Sequence, residues 1–218
     1  MNKTLYMLPL VSLLTTTWAL AASSSYNILN HPIGNAANPM LNEAGTPLTG
    51  GTAALGDGSI IQLGYFNTSI DDPSAVWTPI AGLGTSGIIN GHDLRVGDFS
   101  GGFDVGNGFF SVDVTFSDSD TLEGLPTADT QLAVRFYDTT DASSLNTAKF
   151  NTVTNANFKY EAFSDPSSGT DIDLASTSTN IWQDSANPFK TTITAVPEPS
   201  SFALLGLGGM ALLFRRRK

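Results

Sequence analysis

The chain of 218 residues has no cysteine. That absence excludes a disulfide framework, a thiolate nucleophile, lipid attachment through sulfur and any Cys-type zinc site, so stability has to come from an ordinary packed core. Histidine is nearly as scarce. His31 and His92 stand alone, and no Gly-x-Ser-x-Gly elbow accompanies them, so a serine hydrolase lacks its parts; His92 beside Asp93 reads as a turn histidine in preference to a proton carrier. Positive charge is also short, with 10 Lys and Arg against 20 Asp and Glu and a net charge of −10 at pH 7. Half of those cations, Lys3, Arg215, Arg216, Arg217 and Lys218, sit at the two ends, which leaves the middle more acidic still. Such a surface repels nucleic-acid phosphates and anionic lipid and attracts divalent cations.

What the chain does have is most explicit at its ends. Lys3, the apolar run Leu5 to Leu14 and the small-x-small site Ala19-Leu20-Ala21 make residues 1–21 a secretory signal peptide, removed by signal peptidase and no part of the fold. The other end has three parts in order: Val196-Pro197-Glu198-Pro199, an apolar run from Ser201 to Phe214, and Arg215-Arg216-Arg217-Lys218. Pro197 and Pro199 lack backbone N–H groups and keep the chain extended. The apolar run suits a short transmembrane helix, and the basic cluster acts as a stop-transfer signal that stays cytoplasmic. At about 1.5 Å per residue the run covers roughly 21 Å of a hydrocarbon core about 30 Å thick. It is therefore a poor permanent anchor and suits a temporary stop in the inner membrane.

Motif, short helix and basic end together resemble a PEP-CTERM sorting signal, over residues 196–218. The resemblance implies recognition by an exosortase, a membrane transpeptidase-like enzyme, in bacteria with an outer membrane that often make exopolysaccharide. It implies an exported protein that passes the inner membrane transiently and ends at the cell surface, in the outer envelope or in extracellular matrix. More loosely, Gly64-Tyr65-Phe66, Trp77-Thr78-Pro79 and the run Gln131 to Tyr137 resemble domains of other PEP-CTERM proteins.

Residues 22–195 form the remaining unit, long enough for one domain with a sizeable core. Phe110, Val112, Val114 and Phe116 alternate with Ser111, Asp113 and Thr115, a period of two that puts four apolar side chains on one strand face and the polar ones in water. Leu132, Val134 and Phe136 against Ala133, Arg135 and Tyr137, and Ile61, Leu63 and Tyr65 against Gln62 and Gly64, repeat it. Further strands are expected at 26–30, 87–90, 158–163, 172–175 and 190–194. One short helix is expected at 72–77, with Asp72 as N-cap and Pro73 in its first position. Gly, Asn and Asp turns separate the segments, as in an all-β, antiparallel, jelly-roll-like β-sandwich.

Within that domain no catalytic residue stands out, and the protein is expected not to be an enzyme. Gly82-Leu83-Gly84-Thr85-Ser86-Gly87 spells the dinucleotide fingerprint, but no amphipathic helix follows to present a pyrophosphate site, so it reads as a loop. The pairs Asp71 and Asp72, Asp118 and Asp120, and Asp171 and Asp173 could share a hard cation such as calcium, which takes six to eight oxygens; none has EF-hand spacing, and solvated loop acids are the plainer reading. No other cofactor is expected. Trp77 and Trp182, with Tyr65 and Tyr160, are candidates for a sugar-stacking platform, although aromatics more often fill a core. The function expected is an exported envelope or matrix protein without catalysis, and the alternative is a module that binds or hydrolyses extracellular polysaccharide.

Overall fold

The computed structural model describes residues 23–30, 38–51, 56–72, 74–82, 94–97, 106–117, 126–161, 169–175 and 179–194. Its strands are β1 (Ser23–Leu29), β2 (Ile60–Phe66), β3 (Trp77–Gly82), β4 (Leu94–Arg95), β5 (Ser111–Ser117), β6 (Leu132–Tyr137), β7 (Lys149–Asn155), β8 (Gly169–Asp173), β9 (Asn180–Trp182) and β10 (Ile193–Thr194). The helical content among the described residues is one 3-10 turn, Ala142–Ser144, capped by the Asp141 carboxylate. The described residues are thus nearly all β, as the alternating pattern requires.

Three strands form the smaller sheet in the order β5-β1-β8, and the larger has the path β10-β7-β6-β2-β3, with β4 beside β2 and β9 beside β7. Pairing is antiparallel except between β1 and β8, which run parallel. In β5 the expected alternation holds: Val112, Val114 and Phe116 are buried, Asp113 is exposed and Thr115 half-buried. Ser111 departs from it and is buried. β1 shows the same period and is followed by the fully buried Asn30, whose side-chain amide donates to Gly108 O (2.9 Å) and accepts from Phe110 N (2.7 Å).

Side chains from both sheets meet in one cluster. Tyr26, Ile28, Val114, Phe116 and Ile172 come from the smaller sheet, and Ile61, Leu63, Val134, Phe136, Val153 and Trp182 from the larger. At about 25 cal/mol per Å² of apolar surface, this burial is the main favourable term of the fold. Tyr26 is central: its ring meets Phe116 and Phe158 edge-on at 5.7 Å. Its hydroxyl donates to Lys159 O (3.0 Å) and accepts from Glu161 N (2.7 Å), and burial pushes its pKa up to about 12.

Several sequence expectations are corrected. The helix at 72–77 does not form: Asp72 accepts from Ser74 N (2.8 Å) and Ser74 Oγ (2.7 Å) in a turn, and Trp77 opens β3. The side-chain oxygen of Asp72 competes with the backbone for that donor, which favours turns over helix. Of the strand expected at 158–163, residues 158–161 lie outside any strand, with Lys159 in an isolated bridge to Gln131, and 162–163 lie outside the described residues. Strands expected at 172–175 and 190–194 appear as β8 and the two-residue β10, and the one expected at 87–90 lies outside the described residues. The outward positions of β6, Ala133, Arg135 and Tyr137, are buried like the inward ones.

Candidate functional site

On the outer face of the larger sheet, Gly64 has no side chain, and that gap admits Trp77. A Cβ at Gly64 would fall 2.4 Å from Thr78 O and 2.7 Å from the Trp77 ring. The β2–β3 register slips between Leu63 and Gly64 at the same place. The indole donates to Gln62 Oε1 (3.3 Å), which also accepts from the Tyr137 hydroxyl (2.8 Å). One ring face is covered by Arg135, whose guanidinium carbon lies 4.3 Å from the centroid of Trp77 and 4.2 Å from that of Phe150. Arg135 Nε donates to Thr152 Oγ1 (3.0 Å), which donates to Gln183 Oε1 (2.8 Å). Burial holds the Arg135 pKa below its usual value and pushes that of Tyr137 up. The arrangement clamps a cation between two rings, each contact contributing roughly 0.5–2 kcal/mol, and it closes the sheet face by packing.

The four aromatics considered as a sugar platform do not share a surface. Trp182 is 5% exposed, edge-on to Phe136 at 6.2 Å and 4.4 Å from Phe189. Its Nε1 has no hydrogen-bond partner among the described residues. Tyr160 is buried edge-on to Phe116, and Tyr65 packs against the main cluster from the inner side of β2. Alternation along β2 and β9 sends Tyr65 and Trp182 inward and leaves Trp77 outside, with one face already covered by Arg135.

The acidic pairs separate in the same way. Asp71 accepts from the Ser69 hydroxyl and Asp72 from Ser74; those hydrogen bonds hold both carboxyls below their ordinary range. Both sit in the turn before β3. Asp118 and Asp120 lie outside the described residues. Asp171 and Asp173 are exposed on the outer face of β8, an edge strand, and Asp173 Oδ1 accepts from Ala175 N (2.7 Å). Beside them is a groove of about 400 Å³ lined by Asn155, Asn157, Asp171, Ile172, Asp173 and Thr179. It joins β8 to the turn after β7, a juxtaposition that the acid pair alone did not signal. Among the described residues no three His, Cys, Asp or Glu side chains converge as metal ligands.

The nucleotide-like stretch reaches the described residues only at Gly82, the end of β3; His31 and His92 lie outside them. So do Val196, Pro197, Glu198, Pro199 and the basic cluster Arg215, Arg216, Arg217 and Lys218. No helix among the described residues is long and apolar enough to cross a membrane.

The described residues, nearly all β, precede a C-terminal segment that carries a sorting signal and marks an exported protein. Residues 195–218 match the PEP-CTERM protein-sorting motif, which implies processing by an exosortase. No match was found among curated proteins or among solved structures.

Proposed function

We propose that this is a non-enzymatic protein of the cell envelope or extracellular matrix, exported after removal of residues 1–21 and released from the inner membrane by exosortase processing of its tail. The match over residues 195–218 carries this reading. In it the two sheets are the layers of a β-sandwich that is the delivered cargo. Pro197-Glu198-Pro199 presents an extended segment outside the membrane, while the apolar run and the arginines set its depth. The test replaces all three motif residues with alanine in a host that carries an exosortase. An ordinary anchor tolerates that change, because the apolar span is intact; a sorting signal fails, and unprocessed chain accumulates in the inner membrane. Equal processing of both chains, or an intact tail on the wild type, refutes the proposal.

A second reading, binding or hydrolysis of extracellular polysaccharide, is favoured by the groove at β8, where Asp171, Asp173 and Asn157 offer acceptors and an amide to sugar hydroxyls. Calcium shared between Asp171 and Asp173 belongs to this reading. Calorimetric titration with neutral oligosaccharides, with and without calcium, tests it. Heats unchanged by Asp171→Asn exclude the groove.

A further inference from the structure

The last described strand, β10, ends at Thr194, and the sorting-motif match begins at residue 195. From Thr194 to Pro197 the chain reaches at most about 10 Å. While β10 is in place, Pro197, the first residue of Pro197-Glu198-Pro199, stays within that distance of Thr194 at the edge of the larger sheet. An enzyme that grips an extended substrate needs several residues on either side at about 3.3 Å each. On the N-terminal side only two residues, 195 and 196, separate Pro197 from Thr194, and the next two are in the sheet.

The hold at β10 is slight. Its register with β7 consists of Ile193 opposite Phe150 and Thr194 opposite Lys149; Ile193 is half-buried against a small cluster with Phe150, and Thr194 is exposed. Just upstream the chain is firmly fixed. Thr191 is fully buried and donates its N–H to Leu41 O (3.0 Å). Leu41 also bridges Lys190 and donates to Phe189 O (2.7 Å), and the Thr192 hydroxyl donates to the Asp184 carboxylate. Opening therefore stops at Thr192. From there to Pro197 the extended chain reaches about 17 Å, enough to clear the sheet edge.

We propose that β10 is a releasable clasp that ties the chain leading into the sorting motif to the sheet edge and must peel from β7 before the membrane-bound processing enzyme can engage the motif. This rests on the reading of residues 195–218 as a processed signal. Short edge strands with few buried contacts open most readily, and β10 is such a strand. Tail removal then reports a local opening, with the rest of the domain folded.

The absence of cysteine permits a direct test on the full chain in a host that carries an exosortase. Residues opposite each other in an antiparallel pair lie within disulfide range, so Lys149→Cys with Thr194→Cys should form one bridge across β7 and β10. The bridged chain should lose its tail on the order of tenfold more slowly than wild type or either single variant, with reductant restoring the rate. About ten Gly/Ser residues inserted after Thr194 add roughly 17 Å of reach and should restore processing with the bridge intact. Ile193→Asp, which weakens the clasp without a bridge, should hasten tail removal while circular dichroism stays that of the wild type. Wild-type rates in the bridged chain overturn the inference. If thiol labelling shows no bridge, unchanged or slower processing of Ile193→Asp overturns it. A wild type that keeps its tail defeats the sorting reading itself, and the clasp falls with it.

Discussion

On the smaller sheet, the face away from the core carries Ser25, Asn27, Asp113, Thr115, Asp171 and Asp173, all half-buried or exposed. On the larger sheet the corresponding face carries Gln62, Phe66, Ala133, Arg135, Tyr137, Phe150 and Thr152, all buried, with Trp77 half-buried among them. The strands of both alternate with the same period. The difference lies in what covers them. Over the larger sheet, Phe66, Ile70, Ala75 and Trp77 close around Ala133, and Ala142, Leu145, Ala148 and Ile193 close around Ile60, Tyr137 and Phe150. These coverings turn a face that would otherwise meet water into two satellite cores. A period of two says which residues share a face; it does not say whether that face stays wet.

The largest effect that tests this contrast is at the shared core. Val114→Asp puts an unpaired carboxylate among Tyr26, Phe116 and the inward side chains of the larger sheet, and should cost about 4 kcal/mol or more in urea unfolding. Arg135→Ala comes next. It removes a buried cation stacked on Trp77 and Phe150 and uncovers ring surface, so a loss of about 2 kcal/mol is expected. Arg135→Lys should recover only part of it, because an ammonium has no planar face to stack. If Arg135→Ala proves as mild as a change on the open face of the smaller sheet, the contrast between the sheets fails.

Acid should loosen the segment before β10 ahead of the rest. Asp184 accepts from Thr192 Oγ1, Asn187 Nδ2 and Ala186 N, and the Thr192 hydrogen bond, first among these, holds its pKa below the ordinary 3.8. For a depressed carboxyl, the contribution is full above the unfolded value and is lost as pH falls through the folded one. Hydrogen exchange at Thr191 to Thr194 should therefore quicken below about pH 4, and in Asp184→Asn it should be quick already at pH 7. Exchange that is independent of pH in the wild type contradicts the anchoring role. The smallest effect is expected at Asp113, where Asp113→Asn should change stability by no more than about 0.5 kcal/mol, since its carboxylate faces water.

Much of the fold was legible because its signals are local. β2, β5 and β6 announce themselves by alternation within seven residues or fewer. β7 does not: its Asn151, Thr152 and Thr154 are polar yet buried, and they are tolerated only because Gln183, Leu132 and Asn187 supply partners from elsewhere in the chain. β3 and β9 were missed for the same reason. β3 contains Pro79 opposite Gly64 at the register shift, and three-residue β9 is defined by β7 alone. The candidate sites divide likewise. The groove needs the turn at Asn155 to Asn157 to meet β8, a meeting no spacing encodes.

By itself, then, the sequence determined the all-β character, the inward face of the main strands and the sorting signal at 195–218, since a strand face and a linear motif are both properties of neighbouring residues. Tertiary structure alone decided that Trp182 lies in the core, that Arg135 is clamped between rings, that β1 and β8 run parallel, and that the last described strand ends where the sorting motif begins. Each of these depends on surfaces brought together from distant parts of the chain, where burial and partner geometry outweigh local preference.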